Sequence, residues 1–346
     1  MRETSVQPTF HDAVIELVHG AGGKASRRLI EGLFLPLLAN PALIPLEDAA
    51  IMSIEGLRLA LTTDAFVVKP LRFPGGSIGE LAVNGTVNDL AVSGARPLGL
   101  LAAFIVEAGL PSEVLRAEAE ALAQAARRAG VSVVGGDTKV VEHGKADGLY
   151  IVTAGIGLVD PRAELGVHRV RPGDRILISG PIGDHGITVL LARGELDLEA
   201  DLVSDTRPLT PFVETLLEAA SPGLHWMRDP TRGGVATALN ELARDARVAI
   251  TLAEEAIPVR DAVRGACELL GLDPLYIANE GQLLAVVDPA WADTALAALQ
   301  RVPGGEQAAC IGEVQEQPAG VVIVSTQYGG QRVIDMLVGD PLPRIC

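Results

Sequence analysis

The chain has 346 residues, of which 48% are hydrophobic, 21% charged and only 3% aromatic. At roughly 150 residues per domain this predicts two domains, and it excludes a chain disordered throughout. The net charge of −16 repels phosphate backbones and anionic membranes. That excludes non-specific nucleic-acid binding, but not a single nucleotide held through a divalent cation.

The opening MRETSVQPTFHDAVIELVH is broken by charges and lacks the apolar core of a signal peptide. No apolar run approaches the roughly 18 residues of a membrane span, so a cytoplasmic protein is expected. Residues 57–62 read as a strand running into Thr63 and Asp64. Residues 78–94 read as a helix opened by a Ser77–Glu80 capping box and closed at Gly94. Residues 113–129 read as a better helix, with Leu115, Ala119, Leu122 and Ala126 on one face and Gly130 past its end. VSVV at 131–134 reads as a strand that stops at Gly135, Gly136 and Asp137, and 149–157 as a further strand. The aperiodic, charged stretch 160–173 marks the boundary between domains at 1–160 and 170–336. Beyond it, helices are expected at about 186–193, 210–220, 234–246, 259–270 and 289–299. Strands are expected at 175–179, 248–252, 283–287, 309–314 and 320–324. The two prolines of VGDPLPRIC favour an extended tail over residues 337–346.

Four aspartates of the first half stand out: Asp48, Asp64, Asp89 and Asp137. Three border strand-like segments, where an α/β domain gathers its ligands, and Asp89 sits inside an apolar helix. Carboxylates converging at one edge repel unless a cation joins them, and Mg²⁺ with phosphate oxygens suits such a set. Each could equally be a turn or cap residue. HGAGGKASR at 19–27 could cradle phosphates beside Lys24, or be a flexible loop; it lacks the Walker A spacing. SGPIGDHG and RDPTRGG read first as tight strand-to-helix turns. Asn84 and Asn88, four apart on one helical face, need partners that a nucleotide or neighbouring backbone could supply. Cys267, on a stripe with Val263, Ala266 and Leu270, reads as core, and Cys310 in its strand as buried. Widely spaced cysteines argue against a disulfide framework or a zinc site. Cys346 differs: as the last residue of a Pro-rich tail its thiol reads as mobile and exposed, either incidental or a carrier on a swinging arm. Lys139, after GGDT, and Glu280, in IANEGQ, are surface residues by default.

Taken in order, HGAGGK, LEDAA, TTDAFVV, VNGTVNDLAVSGARP, GGDTKVV, SGPIGDHG, RDPTRGGVATALNE and ANEGQ resemble the PurM-like ATP-binding superfamily. The terminal P-R-I-C makes the chain most similar to the HypE family of hydrogenase maturation factors. The resemblance implies a mixed α+β, two-domain fold, with N-terminal domains of a homodimer pairing into a β-barrel that binds ATP. It implies Mg²⁺ on Asp48, Asp64, Asp89 and Asp137. ATP would meet Lys24, Thr63, Asn84, Asn88, Gly135 and Gly136 together with these aspartates. It also implies ATP-dependent dehydration of a carboxamide that a carbamoyltransferase, HypF, places on Cys346. The resulting thiocyanate would pass cyanide through a HypC–HypD complex to the iron of [NiFe] hydrogenase. Glu280 and Lys139 are then the candidates for proton removal and charge stabilisation. The alternatives are another enzyme of the superfamily, such as a small-metabolite kinase or cyclo-ligase, and a non-catalytic ATP-binding scaffold. A metal-delivery protein fits poorly with scattered histidines and unclustered cysteines.

Overall fold

The computed structural model describes residues 9–44, 46–196, 198, 200–339, 342 and 344–346. The N-terminal segment forms α1 (Gly23–Leu29), a π-helical turn at Ile30–Phe34, and α2 (Leu35–Leu38). Next come β1 (Ala50–Ile54), β2 (Leu57–Phe66), the small ribbon β3 (Arg72–Phe73) and β4 (Gly76–Ser77), then α3 (Ile78–Val92). The domain closes with β5 (Ala95–Glu107), α4 (Ser112–Arg128), β6 (Val133–Val141) and β7 (Leu149–Val159). Its sheet has the order β1-β2-β7-β5-β6, antiparallel except for the parallel pairing of β5 with β6.

Strict alternation sets which face of this sheet is covered. Along β7, Leu149, Ile151, Thr153, Gly155, Gly157 and Val159 are buried and the residues between them half-buried, the period-two pattern of a one-sided sheet. The buried side packs on α3, whose residues are almost all buried. An apolar helix covered all round is a core helix, and α3 is wedged between the sheet and the second domain. The expected capping box at its start does not form. Ser77 Oγ is buried with no partner and Glu80 pairs instead with Arg128 of α4. β2 runs on through Thr63 and Asp64, and β6 runs through Gly135, Gly136 and Asp137 to Val141 rather than stopping there. The parallel ladder with β5 carries β6 through two glycines that local propensity reads as a stop. β5 itself, bracketed by Gly94 and Gly109, is rich in Ala and Leu but opens on Arg96, Pro97 and Gly99 and shows no clear period, so it is not legible as a strand; nor are β1 and the N-terminal helices.

The second domain contains β8 (Arg175–Ile178), α5 (Asp184–Ala192), α6 (Thr210–Ala220), β9 (Leu224–Arg228), α7 (Gly234–Ala246) and β10 (Ala249–Ala253). It continues with α8 (Asp261–Leu270), β11 (Leu284–Val287), α9 (Pro289–Leu299), β12 (Ala309–Gln315), β13 (Val321–Ser325) and β14 (Gln331–Ile334). Its seven strands run in the order β14-β13-β10-β12-β8-β11-β9. Two aliphatic cores serve the sheet: Leu216, Leu217, Ala285 and Leu299 on one side, Leu239, Ile250, Leu284 and Ile311 on the other. The expected helices and strands of this half are present within a few residues of their expected ends, whereas β9 and β14 were not expected. Cys267 is buried as expected, while Cys310 is only half-buried.

The tail does not stand away from the molecule. Ile345 is 2% exposed and Cys346 half-buried, both packed on the core built around Phe66, Val68 and Ile187. Val67 N–H donates to a terminal oxygen of Cys346 (3.0 Å) and Lys69 N–H to Arg344 O (3.3 Å). The thiol expected to be mobile and exposed is thus held inward by backbone pairing and apolar burial. Pro341 and Pro343, read above as extending the tail, lie outside the described residues.

A buried carboxylate centre between the two domains

Four elements deliver carboxylates to one point. Asp48 precedes β1, Asp64 lies in β2, Asp89 in α3, and Asp229 follows β9 of the second domain. Carboxylate oxygens of Asp48, Asp89 and Asp229 all lie within 4.8 Å of one another. Thr62 Oγ1 donates to Asp89 (2.8 Å) and Thr86 Oγ1 to Asp64 (3.1 Å). Arg228 Nε meets Asp48 at 3.0 Å while its Nη1 holds Glu241 at 3.0 Å. Burial is the first cause that raises all four carboxyls, opposed at Asp48 and Asp229 by Arg228 and at Asp64 by Thr86. Asp89 and Asp229 lie well above the ordinary range, each lifted further by its carboxylate neighbours. Apposed oxygens with too little positive charge suit a hard divalent cation, and the oxygen-only donor set fits Mg²⁺.

A cleft of about 820 Å³ between the N-terminal segment, β1, β2 and the second domain adjoins the centre and shares with it Thr62 and Arg228, the partners of Asp89 and Asp48. Gly20, Gly22, Gly23, Thr62, Thr63, Thr231 and Arg232 line it, a volume suited to a nucleotide-sized ligand. The glycine loop is strapped in this conformation. Gly22 N–H donates to Ser26 Oγ, while Lys24 N–H and Ala25 N–H donate to Leu337 O and Val338 O. Gly23 adopts φ +75°, and a Cβ there would overlap the Leu337 carbonyl. Lys24 Nζ pairs with Asp335 at 2.5 Å on the surface.

Glu280 is not a surface residue: it is 2% exposed and stands among Asp229, Asp205 and Asp64. Burial first, then these three carboxylates, push its carboxyl well above the ordinary range, with Arg232 opposing. Gly85 of α3 makes room for the Phe66 ring, which a Cβ there would meet at 2.8 Å, and the same point is 3.9 Å from Glu280 Oε2. Glu280 and the tail-binding end of β2 therefore share one neighbourhood.

The two asparagines part company. Asn88 is fully satisfied by backbone, donating to Arg207 O (3.0 Å) and Glu280 O (3.1 Å) and accepting from Leu209 N–H (2.8 Å). It ties α3 to the second domain. Asn84 donates to Thr206 Oγ1, and its buried Oδ1 has no partner. Thr63 Oγ1 donates to Thr153 O. Asp137 and Lys139 are not at the centre. Asp64 lies opposite Thr153, Thr153 opposite Ala102, and Ala102 opposite Gly136. At ~4.8 Å per strand, β6 is about 14 Å away across the sheet. Alternation then puts Asp137 and Lys139 on the face opposite Asp64. There they are 61% and 69% exposed and pair with each other at 2.6 Å.

Asp229 and Arg232 are the site residues that sequence reading passed over. The apolar LHWM ahead of them is a buried strand; read as such, Asp229 becomes a strand-end carboxylate like Asp64.

Residues 46–159 match the family described as AIR synthase related protein, N-terminal domain, and residues 171–325 match its C-terminal domain. Carbamoyl dehydratase HypE of Azotobacter vinelandii is 51% identical over 332 residues, covering 96% of this chain and 97% of that one. A HypE structure in complex with ATP superimposes with a TM-score of 0.80 at 47% identity, covering 96% and 100% of the two chains. A HypE–HypF complex gives a TM-score of 0.84 at 44% identity, covering 89% and 99%. Near-full-length identity of this order, with both domain families matched in sequence order, makes the chain a member of the HypE family of carbamoyl dehydratases.

Proposed function

We propose that the protein is an ATP-dependent carbamoyl dehydratase acting on its own C-terminus. A carboxamide on the Cys346 sulfur loses its oxygen to the γ-phosphoryl group of ATP and both its N–H protons, leaving S–C≡N, ADP and phosphate. The product supplies cyanide for the iron of [NiFe] hydrogenase. The observation that carries this reading is the inward tail: Cys346 docks on Val67 and packs on the core that holds Phe66, and Phe66 and Glu280 both border Gly85 of α3.

An amide oxygen is a poor leaving group, and phosphorylation converts it into a good one. Such a transfer needs positioning and charge neutralisation more than covalent help. Asp48, Asp64, Asp89 and Asp229 are the residues that would hold Mg²⁺, whose role when bound is to offset phosphate charge. Arg232 and the glycine loop line the cleft where phosphates would sit, and Lys24, now paired with Asp335 beside that loop, is the cation that would turn to them. Glu280 is assigned as the base that takes protons from the amide nitrogen. Offsetting the neighbouring aspartate charges would remove the second of the two causes that oppose its ionisation, burial being the first. Lys139, stabilising developing negative charge, and Asp137 stand on the sheet face that a homodimer would cover. Met52, Leu61, Leu101 and Val134 leave that face apolar and exposed. HypF would load the thiol and a HypC–HypD complex would unload it in the cytoplasm.

Intact-protein mass spectrometry tests the reading. The chain is incubated with HypF, carbamoyl phosphate and ATP. A gain of one carbamoyl group followed by loss of one water, only with hydrolysable ATP and Mg²⁺ present, is the expected result. A carbamoylated chain that never loses water rejects it. Full dehydration by Glu280→Gln with none by Lys139→Ala reverses the two roles.

A further inference from the structure

The first turn of α5 carries a histidine that the reaction above does not use. His185 is completely buried and stacks edge-on against Phe73, with ring centroids 5.5 Å apart. Its Nε2 lies 3.1 Å from Ile345 O and its Nδ1 2.8 Å from Ser204 Oγ. A carbonyl only accepts, so Nε2 carries the proton and Nδ1 accepts from the Ser204 hydroxyl. Ser204 Oγ in turn accepts from Thr206 N–H (3.1 Å). Burial lowers the ring's pKa from 6.5 to about 4, so it is neutral at physiological pH.

Both supports of this ring lead to the segment that carries Glu280. Gly183 N–H donates to Asn279 Oδ1 (2.8 Å) and Gly186 N–H to Ala278 O (3.1 Å), fastening α5 to residues 278–279. Asp205, next to Ser204, accepts from Glu280 N–H (3.0 Å). A second attachment lies one residue before Ile345. Arg344 donates from Nη1 to Asp147 (2.5 Å) and from Nε to Val67 O (3.1 Å). Its own carbonyl accepts from Arg193 Nη2 (3.1 Å).

We propose that His185 is a positioning residue for Cys346: its Nε2–H holds the Ile345 carbonyl and so fixes the terminal thiol relative to Glu280, with Ser204 holding the ring's tautomer and Arg344–Asp147 as the outer clamp. The proposal rests on the carrier role of Cys346 for its catalytic meaning, but the docked tail can be tested without turnover. Main-chain recognition suits a carrier arm, because it places the sulfur without touching the group the sulfur carries.

The test is site-resolved alkylation of the full-length chain by iodoacetamide, read by mass spectrometry at each cysteine. Buried Cys267, whose thiol burial raises to about 11, reports whether the fold is intact. His185→Phe keeps the aromatic packing and removes the donor. It is expected to speed alkylation of Cys346 about tenfold, the loss of one hydrogen bond, with Cys267 still protected. His185→Gln restores a donor and is expected to restore protection. Dehydration of the carbamoylated chain should slow in parallel, with nucleotide affinity unchanged. Cys346 equally protected in His185→Phe overturns the proposal, as does a His185→Gln chain as unprotected as His185→Phe. Should His185→Phe also expose Cys267, histidine-selective ¹⁵N NMR of the unaltered chain decides. A slowly exchanging Nε2–H supports the clamp and an Nδ1–H tautomer rejects it. A carbamoylated wild type that never loses water rejects the dehydratase reading alone, because alkylation and NMR still read the clamp.

Discussion

Two acidic regions of this protein behave in opposite ways. At the domain seam, Asp48, Asp89 and Asp229 face one another without enough positive charge, and their carboxyls rise. On β6, Asp137 is exposed and paired with Lys139, and its carboxyl is held below the usual range, first by the lysine and then by Thr138 N–H. The residue type is the same; what differs is desolvation and the sign of the nearest charge. The first arrangement is stable only with something added, whereas the second is satisfied as it stands and gains a role only if another surface comes to it.

The contrast can be broken most severely at the acceptor of the chemistry. Cys346→Ala is expected to abolish dehydrated product completely while leaving nucleotide-dependent thermal stabilisation intact; any cyanated protein from this variant rejects the carrier role. Asp229→Asn comes next. Turnover should fall by about 10²-fold or more, and stabilisation by Mg²⁺ with ATP should disappear. The ligand-free chain should become more stable, because one member of a repelling set is gone. Differential scanning fluorimetry with and without Mg²⁺ and ATP reads both effects.

The same repulsion sets a pH dependence. The raised carboxyls of Asp48, Asp64, Asp89, Asp229 and Glu280 bind protons more tightly folded than unfolded. Between their ordinary range and their raised values, stability therefore falls as pH rises. Asp205, raised from 3.8 to about 6, adds to this trend between those values. His185, lowered from 6.5 to about 4, opposes it over much the same window. Several carboxyls against one imidazole predict that the metal-free chain gains stability on going from pH 7 to pH 5. Urea unfolding at the two pH values checks this, and no gain or a loss would show that the carboxylates are already neutralised.

The sheet surface offers a milder probe. Val134→Asp, exposed on the face of Asp137, is expected to leave thermal stability within about 0.5 kcal/mol yet shift a homodimer toward monomer in sedimentation velocity. Smallest of all, Asp137→Asn should change stability by less than about 1 kcal/mol, as exposed ion pairs do. Any loss of turnover in that variant would place β6 at the working site of the assembled protein.

Much of the second domain was legible because its helices and strands are framed by Gly and Pro turns and carry clear periods. β5 was not, since Arg96, Pro97 and Gly99 break its opening, and β6 was legible only at its start, since it runs on through Gly135 and Gly136; pairing rather than propensity makes them strands. Three of the four seam aspartates were legible from their strand and helix settings. Asp229 was hidden because RDPTRGG also reads as an ordinary turn. Glu280 looked like a surface glutamate because nothing local reveals that Asn88 and Asp205 clamp its backbone from elements far away in sequence.

The sequence by itself determined the family, the two mixed α and β halves, the core role of Cys267 and the singular position of Cys346. These depend on composition, short-range periodicity and ordered motifs. Only the tertiary structure decided that Asp229 completes the carboxylate centre and that Asp137 stands about 14 Å away across the sheet. It also placed the terminal thiol inward, on Val67 and below His185. Those outcomes depend on strand order, domain docking and desolvation, which join residues as far apart as Lys24 and Asp335, 311 positions, and no local pattern encodes such distances.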